Sequence, residues 1–294
     1  MRFSAKDLTT VRRAYARQML AIAGVDDNPA LEAAFADVPR ERFIGPPPWQ
    51  IVGPRGYRPV PSHDPVVVYQ DVNFALSPGR GVNNGSPFLH ALWLNAFGPL
   101  AGARVVHVGA GTGYYSAILS RLVGEGGRVV AVECDPELAR LAERNLESFD
   151  NVSLVEGDGA ALAFESVDAV YVNFAVARPA KTWIEALAPG GRLIFPLGAP
   201  GRRHGTSGGR HADGGGFRIE RRDHGFAAAW LGRAFFVCAD GMLAPLEDER
   251  EALNTAFESG GAEMVRSLRW MQPAQAGRCW FIGKGWSLSY DEVG

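Results

Sequence analysis

Apolar residues recur at helical spacing from the start of the chain. Leu8, Val11, Tyr15, Met19 and Ile22 fall on one face of residues 5–23, which predicts an amphipathic helix. A shorter helix is expected over about 29–37, with Asn28 as its cap and Pro29 in its first turn. Between 45 and 65 the periodicity stops. Seven prolines among glycines and aromatics (GPPPWQIVGPRGYRPVPSHDP) exclude helix there and predict a long ordered loop, laid on the body by Trp49 and Tyr57.

From Arg104 short apolar runs alternate with amphipathic ones. RVVHVGAG reads as a strand ending in glycines, YYSAILSRLV as a helix, GRVVAVECD as a second strand, and PELARLAERNLES as a helix with Pro136 in its first turn. NVSLVEGD, VDAVYVNF and GRLIFPLG are three more strands, the last two separated by a helical PAKTWIEALA. Strand–helix alternation of this length means βαβ units on a parallel sheet, so residues of about 100–200 should form a doubly wound α/β fold. Residues 200–216 (PGRRHGTSGGRHADGGG) read as a flexible surface loop by composition. FRIERRDHGFAAAWLGRAFFVCADG should supply sheet-edge strands, and DEREALNTAFESGGAEMVRSL one or two helices. The expected organisation is a helical and Pro-rich cap (1–80), an α/β core (81–200) and a C-terminal extension (201–294).

Composition narrows the class without naming it. The chain has 294 residues and a formal net charge of −2, which argues against a general nucleic-acid or membrane-surface binder. Its longest uncharged runs, near Val82–Ala103 and Val105–Ser120, are broken by Asn, Gly, Pro and His, so no membrane span is expected. Lys6, Asp7, Arg12, Arg13 and Arg17 interrupt any secretory signal core. Three scattered cysteines, Cys134, Cys238 and Cys279, offer neither a disulfide framework nor a CxxC metal site, and a cytoplasmic location is the expectation. No metal site is expected. His204, His211 and His224 are too irregularly spaced to form one, and Arg202, Arg203 and Arg210 read as surface charge. The anomaly is glycine, at 36 residues.

The informative glycines are Gly109, Gly111 and Gly113, a GxGxG turn with Ala110 and Thr112 directly between a strand and a helix. Glycine there lets the backbone turn sharply and lets a ligand lie against it. Glu133, twenty residues past Gly113 at the end of the next apolar run, is placed to accept the hydroxyls of a ribose, with Cys134 beside it. Asp158, closing another strand, is placed for an adenine amino group, with Gly159 permitting close approach. A dinucleotide fingerprint would carry a third glycine inside the helix, where this chain has Tyr114 and Tyr115. A nucleoside ligand without phosphates, S-adenosylmethionine, fits the turn better. An aromatic face of Tyr114 or Tyr115 would suit its sulfonium, the other tyrosine packing in the core. His107, between valines in mid-strand, reads as a buried histidine with a partner.

At these residues the chain resembles the S-adenosylmethionine-dependent methyltransferases, and more narrowly the protein-L-isoaspartate O-methyltransferase family. VVHVGAGTGYYSAILSRLVG is similar to the family's first motif and EALAPGGRLIFPLG to its closing one. RRAYARQMLAIAGVDDNPALEAAFADVPRERFIG resembles its N-terminal helices, with the VPRERF signature at Val38–Phe43. The resemblance runs over roughly residues 8–200 and implies a Rossmann-like methyltransferase fold, S-adenosylmethionine as cofactor, and an isoaspartyl carboxylate of a protein or peptide as acceptor. GVNNGSPFLHA lies where the family has its substrate-facing segment, so Asn83, Asn84 and Ser86 are the expected acceptor-facing groups. Departures are visible. The family's Thr-Ile-Ser falls on Asn83, Asn84 and Gly85, an acid before the glycine loop is replaced by His107, and Asn173, Phe174 and Ala175 stand where Thr-Ala-Ala is usual. A different acceptor, a small molecule or a dedicated peptide, and a catalytically silent cofactor-binding adaptor are the competing expectations.

Overall fold

The computed structural model describes residues 5–53, 56–201, 211–239 and 241–293. It falls into two compact units, Met1–Gly157 and Asp158–Gly294. No helix among the described residues is long and apolar enough to cross a membrane.

The first unit opens with α1 (Ala5–Ile22) and α2 (Pro29–Asp37). Asn28 caps α2 as expected, its Oδ1 accepting from the Leu31 N–H at 3.0 Å. The stripe of α1 that is buried is Tyr15, Ala16, Met19 and Leu20, whereas Ile22 is exposed. Residues 45–65 are not loop throughout: β1 (Gln50–Gly53) and β2 (Gly56–Pro59) pair as a small antiparallel hairpin. β3 (Ala75–Ser77) and β4 (Val82–Asn83) form another, followed by α3 (Pro87–Ala96). Arg40, fully buried, holds the segment between these hairpins. Its guanidinium donates to the carbonyls of Val68, Gln70 and Val72 at 2.6–2.7 Å, which offsets the cost of burying its charge.

The remainder of this unit is strand and helix in alternation: β5 (Arg104–Val108), α4 (Tyr114–Val123), β6 (Arg128–Glu133), α5 (Pro136–Leu146) and β7 (Val152–Glu156). β5, β6 and β7 run parallel in that order. The inner strands are valine-rich and buried along most of their length, as strands covered on both faces must be. Asp135 starts α5 by accepting from the N–H groups of Glu137 and Leu138.

The second unit holds β8 (Val167–Val172), α6 (Lys181–Ala186), β9 (Leu187–Pro200), β10 (His211–Arg222), β11 (Gly225–Val237), α7 (Glu247–Ser259), β12 (Ser267–Trp270), β13 (Cys279–Gly283) and β14 (Trp286–Ser289). Its strands lie in the order β13-β14-β12-β11-β10-β9-β8, antiparallel except for β8 with β9. Three expectations change here. Residues 211–216 are not loop but the start of β10, paired with β9 and β11 on its two sides; residues 202–210, with Arg202, Arg203, His204 and Arg210, lie outside the described residues. β10 and β11 are interior strands rather than edges, because each is hydrogen-bonded on both sides. The helix before the closing motif is only Lys181–Ala186, since β9 takes over at Leu187.

Glycine explains the first misreading. A Cβ on Gly214 would fall 2.1 Å from the Leu197 carbonyl oxygen, and one on Gly215 would fall 1.9 Å from the Trp230 ring. The run DGGG is therefore the place where β10 lies closest to its neighbours, a packing use of glycine rather than a flexible one.

Candidate active site

β5 ends at Val108 and α4 begins at Tyr114, and the five residues between them turn on glycine. Gly109, Gly111 and Gly113 have φ of 77°, 59° and 94°, the left-handed region that side chains disfavour. The N–H groups of Gly109 and Ala110 both donate to the Val132 carbonyl, at 2.9 and 3.0 Å, tying the turn to the next strand. Gly113 is also short of space: a Cβ there would fall 2.9 Å from the Leu146 side chain on α5.

Glu133 ends β6 and is 6% exposed. Its Oε2 accepts from the Gly111 N–H at 2.7 Å and its Oε1 from the Asp135 N–H at 2.9 Å. The acid twenty residues downstream is thus bonded directly into the glycine loop. Burial pushes its carboxyl above the ordinary 4.5, and the bonds from Asp135 and Gly111 oppose that shift. Backbone bonds from Asp135, Gly111 and Cys134 use three of the carboxylate's ~4 lone-pair sites, which leaves one for a ligand hydroxyl. Cys134 beside it is exposed. Arg80 forms an ion pair with Asp135, which brings the segment after β3 against the same corner.

Tyr114 and Tyr115 are 3% and 4% exposed. The Tyr114 ring packs on Phe43 at 5.6 Å and on Tyr115 at 5.0 Å, with burial raising its hydroxyl well above the usual range. His107 is fully buried, with Nδ1 2.7 Å from the Ser116 hydroxyl, and burial lowers its pKa to about 3.

Asn83, Asn84 and Ser86 lie on β4 and the lead-in to α3, and each has a partner within the first unit. The Gly85 N–H donates to Asn83 Oδ1 at 2.9 Å, the Phe74 N–H donates to Asn84 Oδ1 at 2.7 Å, and the Ser86 hydroxyl donates to Asp71 Oδ1 at 2.9 Å. Asn84 is 8% exposed and its Nδ2 has no hydrogen-bond partner. Asp158 and Gly159 open the second unit. Asp158 accepts from the Ala160 N–H at 2.9 Å and the Met242 N–H at 3.2 Å, and the Gly159 carbonyl accepts from Trp183 Nε1 at 2.9 Å.

Several residues that shape this site escape a reading of motifs. Thr112 donates its hydroxyl to the Phe43 carbonyl, while Asn145 on α5 donates to the Thr112 carbonyl at 2.9 Å. The glycine loop is pinned from two directions by these bonds. Phe43 ends the VPRERF signature, so that signature has a physical use as the loop's anchor. A cleft of ≈ 640 Å³ lies on this side of the loop, lined by Phe43, Trp49, His63, Leu76, Thr112 and Asn145. Among the described residues no group of three His, Cys, Asp or Glu side chains could hold a metal ion.

A partly buried glycine turn, braced by a buried carboxylate with a lone-pair site to spare, can seat an uncharged ribose and its substituents. It lacks the third glycine of the dinucleotide fingerprint, which would let the helix pack close to the strand and whose place Tyr114 takes.

Comparison with known proteins agrees with this geometry. Residues 55–216, just over half of the chain, match the family model described as protein-L-isoaspartate(D-aspartate) O-methyltransferase. The protein-L-isoaspartate O-methyltransferase of Thermotoga maritima is 34% identical over 180 residues, 59% of this chain and 51% of its own. That of Aeropyrum pernix is 37% identical over 172 residues, 57% of this chain and 59% of its own. Protein-L-isoaspartate O-methyltransferase 2 of Anaeromyxobacter is 35% identical over 197 residues, covering 65% of this chain and 72% of that one. The chain therefore spans only half to three-fifths of the length of the first two relatives. A solved structure titled protein-L-isoaspartate O-methyltransferase superposes with a TM-score of 0.60 at 25% identity, over 87% of this chain and 72% of that one. The Plasmodium falciparum structure, described as a putative protein-L-isoaspartate O-methyltransferase in complex with S-adenosyl-L-homocysteine, superposes at 0.59. At 17% identity over 78% of this chain and 98% of that one, it speaks for the fold alone. With a Rossmann-like methyltransferase fold and a family match over its glycine loop, the chain belongs to the protein-L-isoaspartate(D-aspartate) O-methyltransferase family.

Proposed function

We propose that the chain is an S-adenosylmethionine-dependent O-methyltransferase whose acceptor is a carboxylate, that of an isoaspartyl residue in a protein or peptide. The observation that carries the proposal is the bond from the Gly111 N–H to Glu133, which joins the bare glycine loop to a buried carboxylate. Gly109, Ala110, Gly111 and Gly113 would line the cofactor, Glu133 would accept from a ribose hydroxyl, and Tyr114 and Cys134 flank those elements. Asp158 and Gly159 are assigned to the cofactor by the same proposal. The cofactor supplies a sulfonium methyl: its S–CH3 bond breaks as a carboxylate oxygen forms the O–CH3 bond, leaving a neutral thioether and a methyl ester.

A carboxylate is ionised at pH 7 and needs no base to make it a nucleophile. What remains for this chain's residues is alignment and the exclusion of water. Asn83, Asn84 and Ser86 are proposed to face the acceptor, with the Asn84 Nδ2 as the donor that has no protein partner. The proposal places the activity in the cytoplasm and on protein or peptide substrates, with no role for nucleic acid or a membrane.

Calorimetry with S-adenosylmethionine, run beside methyl transfer to an isoaspartyl peptide, tests the reading. Binding together with a base-labile methyl ester supports it. Binding without ester on that peptide points to another acceptor or to a silent adaptor, and no binding at all removes the proposal.

A further inference from the structure

One side chain touches both the acceptor segment and the first turn after the glycine loop, and no role has yet been given to it. His90 lies in the first turn of α3, its backbone N–H donating to the Ser86 carbonyl at 3.1 Å. It is 2% exposed. The imidazole is stacked on Tyr115 with ring centroids 3.6 Å apart and planes 16° from parallel. Its edge meets Gly85. A Cβ added at Gly85 would fall 2.3 Å from Nε2 and 2.9 Å from Cδ2 of His90, so position 85 holds no side chain while the ring stays where it is. Gly85 also has φ of 73°, which glycine alone adopts at no cost.

The polar side chains of this segment do not set its distance from the loop. Asn83 and Asn84 accept from the backbone of Gly85 and Phe74, and Ser86 is bonded to Asp71. They hold the local path of the chain, whereas the ring stands between that path and Tyr115. Burial, then His107 and Arg40, holds His90 well below its ordinary pKa, so the wedge is a neutral ring at pH 7.

We propose that His90 is a positioning residue for methyl transfer: its ring, wedged between Gly85 and Tyr115, fixes the separation of the acceptor segment 83–86 from the glycine loop. This rests on the methyltransferase reading above. In-line transfer tolerates little displacement, and a shift of about 1 Å can cost ~10²-fold in rate.

The test is a double-mutant cycle on the full chain with Gly85→Ala and His90→Ala, and with His90→Gln as the conservative variant. The wedge predicts that His90→Ala lowers kcat/KM for an isoaspartyl peptide by about tenfold or more while the S-adenosylmethionine Kd stays within about twofold. His90→Gln, which keeps a flat group of similar reach, should recover most of that loss. Gly85→Ala should damage the wild type strongly and cost clearly less once His90 is Ala, because the new Cβ takes the vacated space and only the strain of the left-handed φ remains. That coupling should appear both in kcat/KM and in the melting temperature. Additive losses in both readouts, or an unchanged kcat/KM in His90→Ala, would overturn the proposal. If the wild type forms no ester on the peptide, the isoaspartyl-acceptor reading fails by itself, and coupling or additivity in the melting temperature still decides whether the wedge exists.

Discussion

Glu133 and His107 show how single residues carry the account. Glu133 is a carboxylate whose folded pKa is raised by burial. An acid raised in this way favours the native state only when protonated. That contribution is complete below the unfolded value of 4.5 and is lost as pH rises through the folded value, so at pH 7 the charged form is a stability cost. The proposed role accounts for its retention. Glu133→Gln should weaken S-adenosylmethionine binding by roughly 10–100-fold, the worth of hydrogen bonds to a charged group, with a smaller change in the melting temperature of the free protein. Calorimetry and thermal melts check this, and normal binding would remove Glu133 from the cofactor side. Binding should also weaken on acidification at a pH above 4.5, as the buried carboxylate takes up its proton. His107 has the opposite sign of linkage. Its pKa falls from 6.5 to about 3, so the native state binds fewer protons than the unfolded chain between those values, and stability present above pH 6.5 drains away as pH falls toward 3. The acid limb of melting temperature against pH should be shallower in His107→Leu, whatever that variant's stability at pH 7. An unchanged slope would contradict the assignment.

At the scale of elements, β10 is the strand most at risk from small changes. Gly215→Ala would drive a methyl into the Trp230 ring, and the overpacking should destabilise the second unit by about 1–3 kcal/mol, read in denaturant melts. A flexible loop at this place would tolerate alanine, so a neutral result would argue against the strand. The same run shows where a reading of sequence stops. The elements with their own periodicity and caps were legible: α1, α2 with its Asn28 cap, the glycine loop, and the β5-to-β8 alternation with its Pro136 boundary. In contrast, DGGG at 213–216 has the composition of a linker, and only the contact with Leu197 and Trp230 makes it strand. The short strands β12, β13 and β14 carry no alternation strong enough to separate them from turns, and they are fixed by pairing with each other and with β11. In the site, the glycines and Glu133 stood out by spacing. The Thr112 bonds to Phe43 and Asn145, and the fit of His90 against Gly85, depend on residues brought together by folding and have no local signature.

For the whole molecule, the C-terminal third is part of a folded unit rather than an appendage. Ending the chain after Pro200 would remove β10 to β14 and leave β9 without the partner that runs beside it from Arg192 to Pro200. An exposed edge of that length invites association, so the truncated chain should be poorly soluble and should lose the melting transition of the second unit. A soluble, fully active truncation would contradict this. The central claim is the reaction itself, and it is tested most directly by incubating the full chain with methyl-labelled S-adenosylmethionine and a matched pair of peptides, one isoaspartyl and one aspartyl. The account predicts base-labile label on the isoaspartyl peptide and none on its aspartyl twin. Label on neither peptide, with the cofactor nevertheless bound, would contradict it.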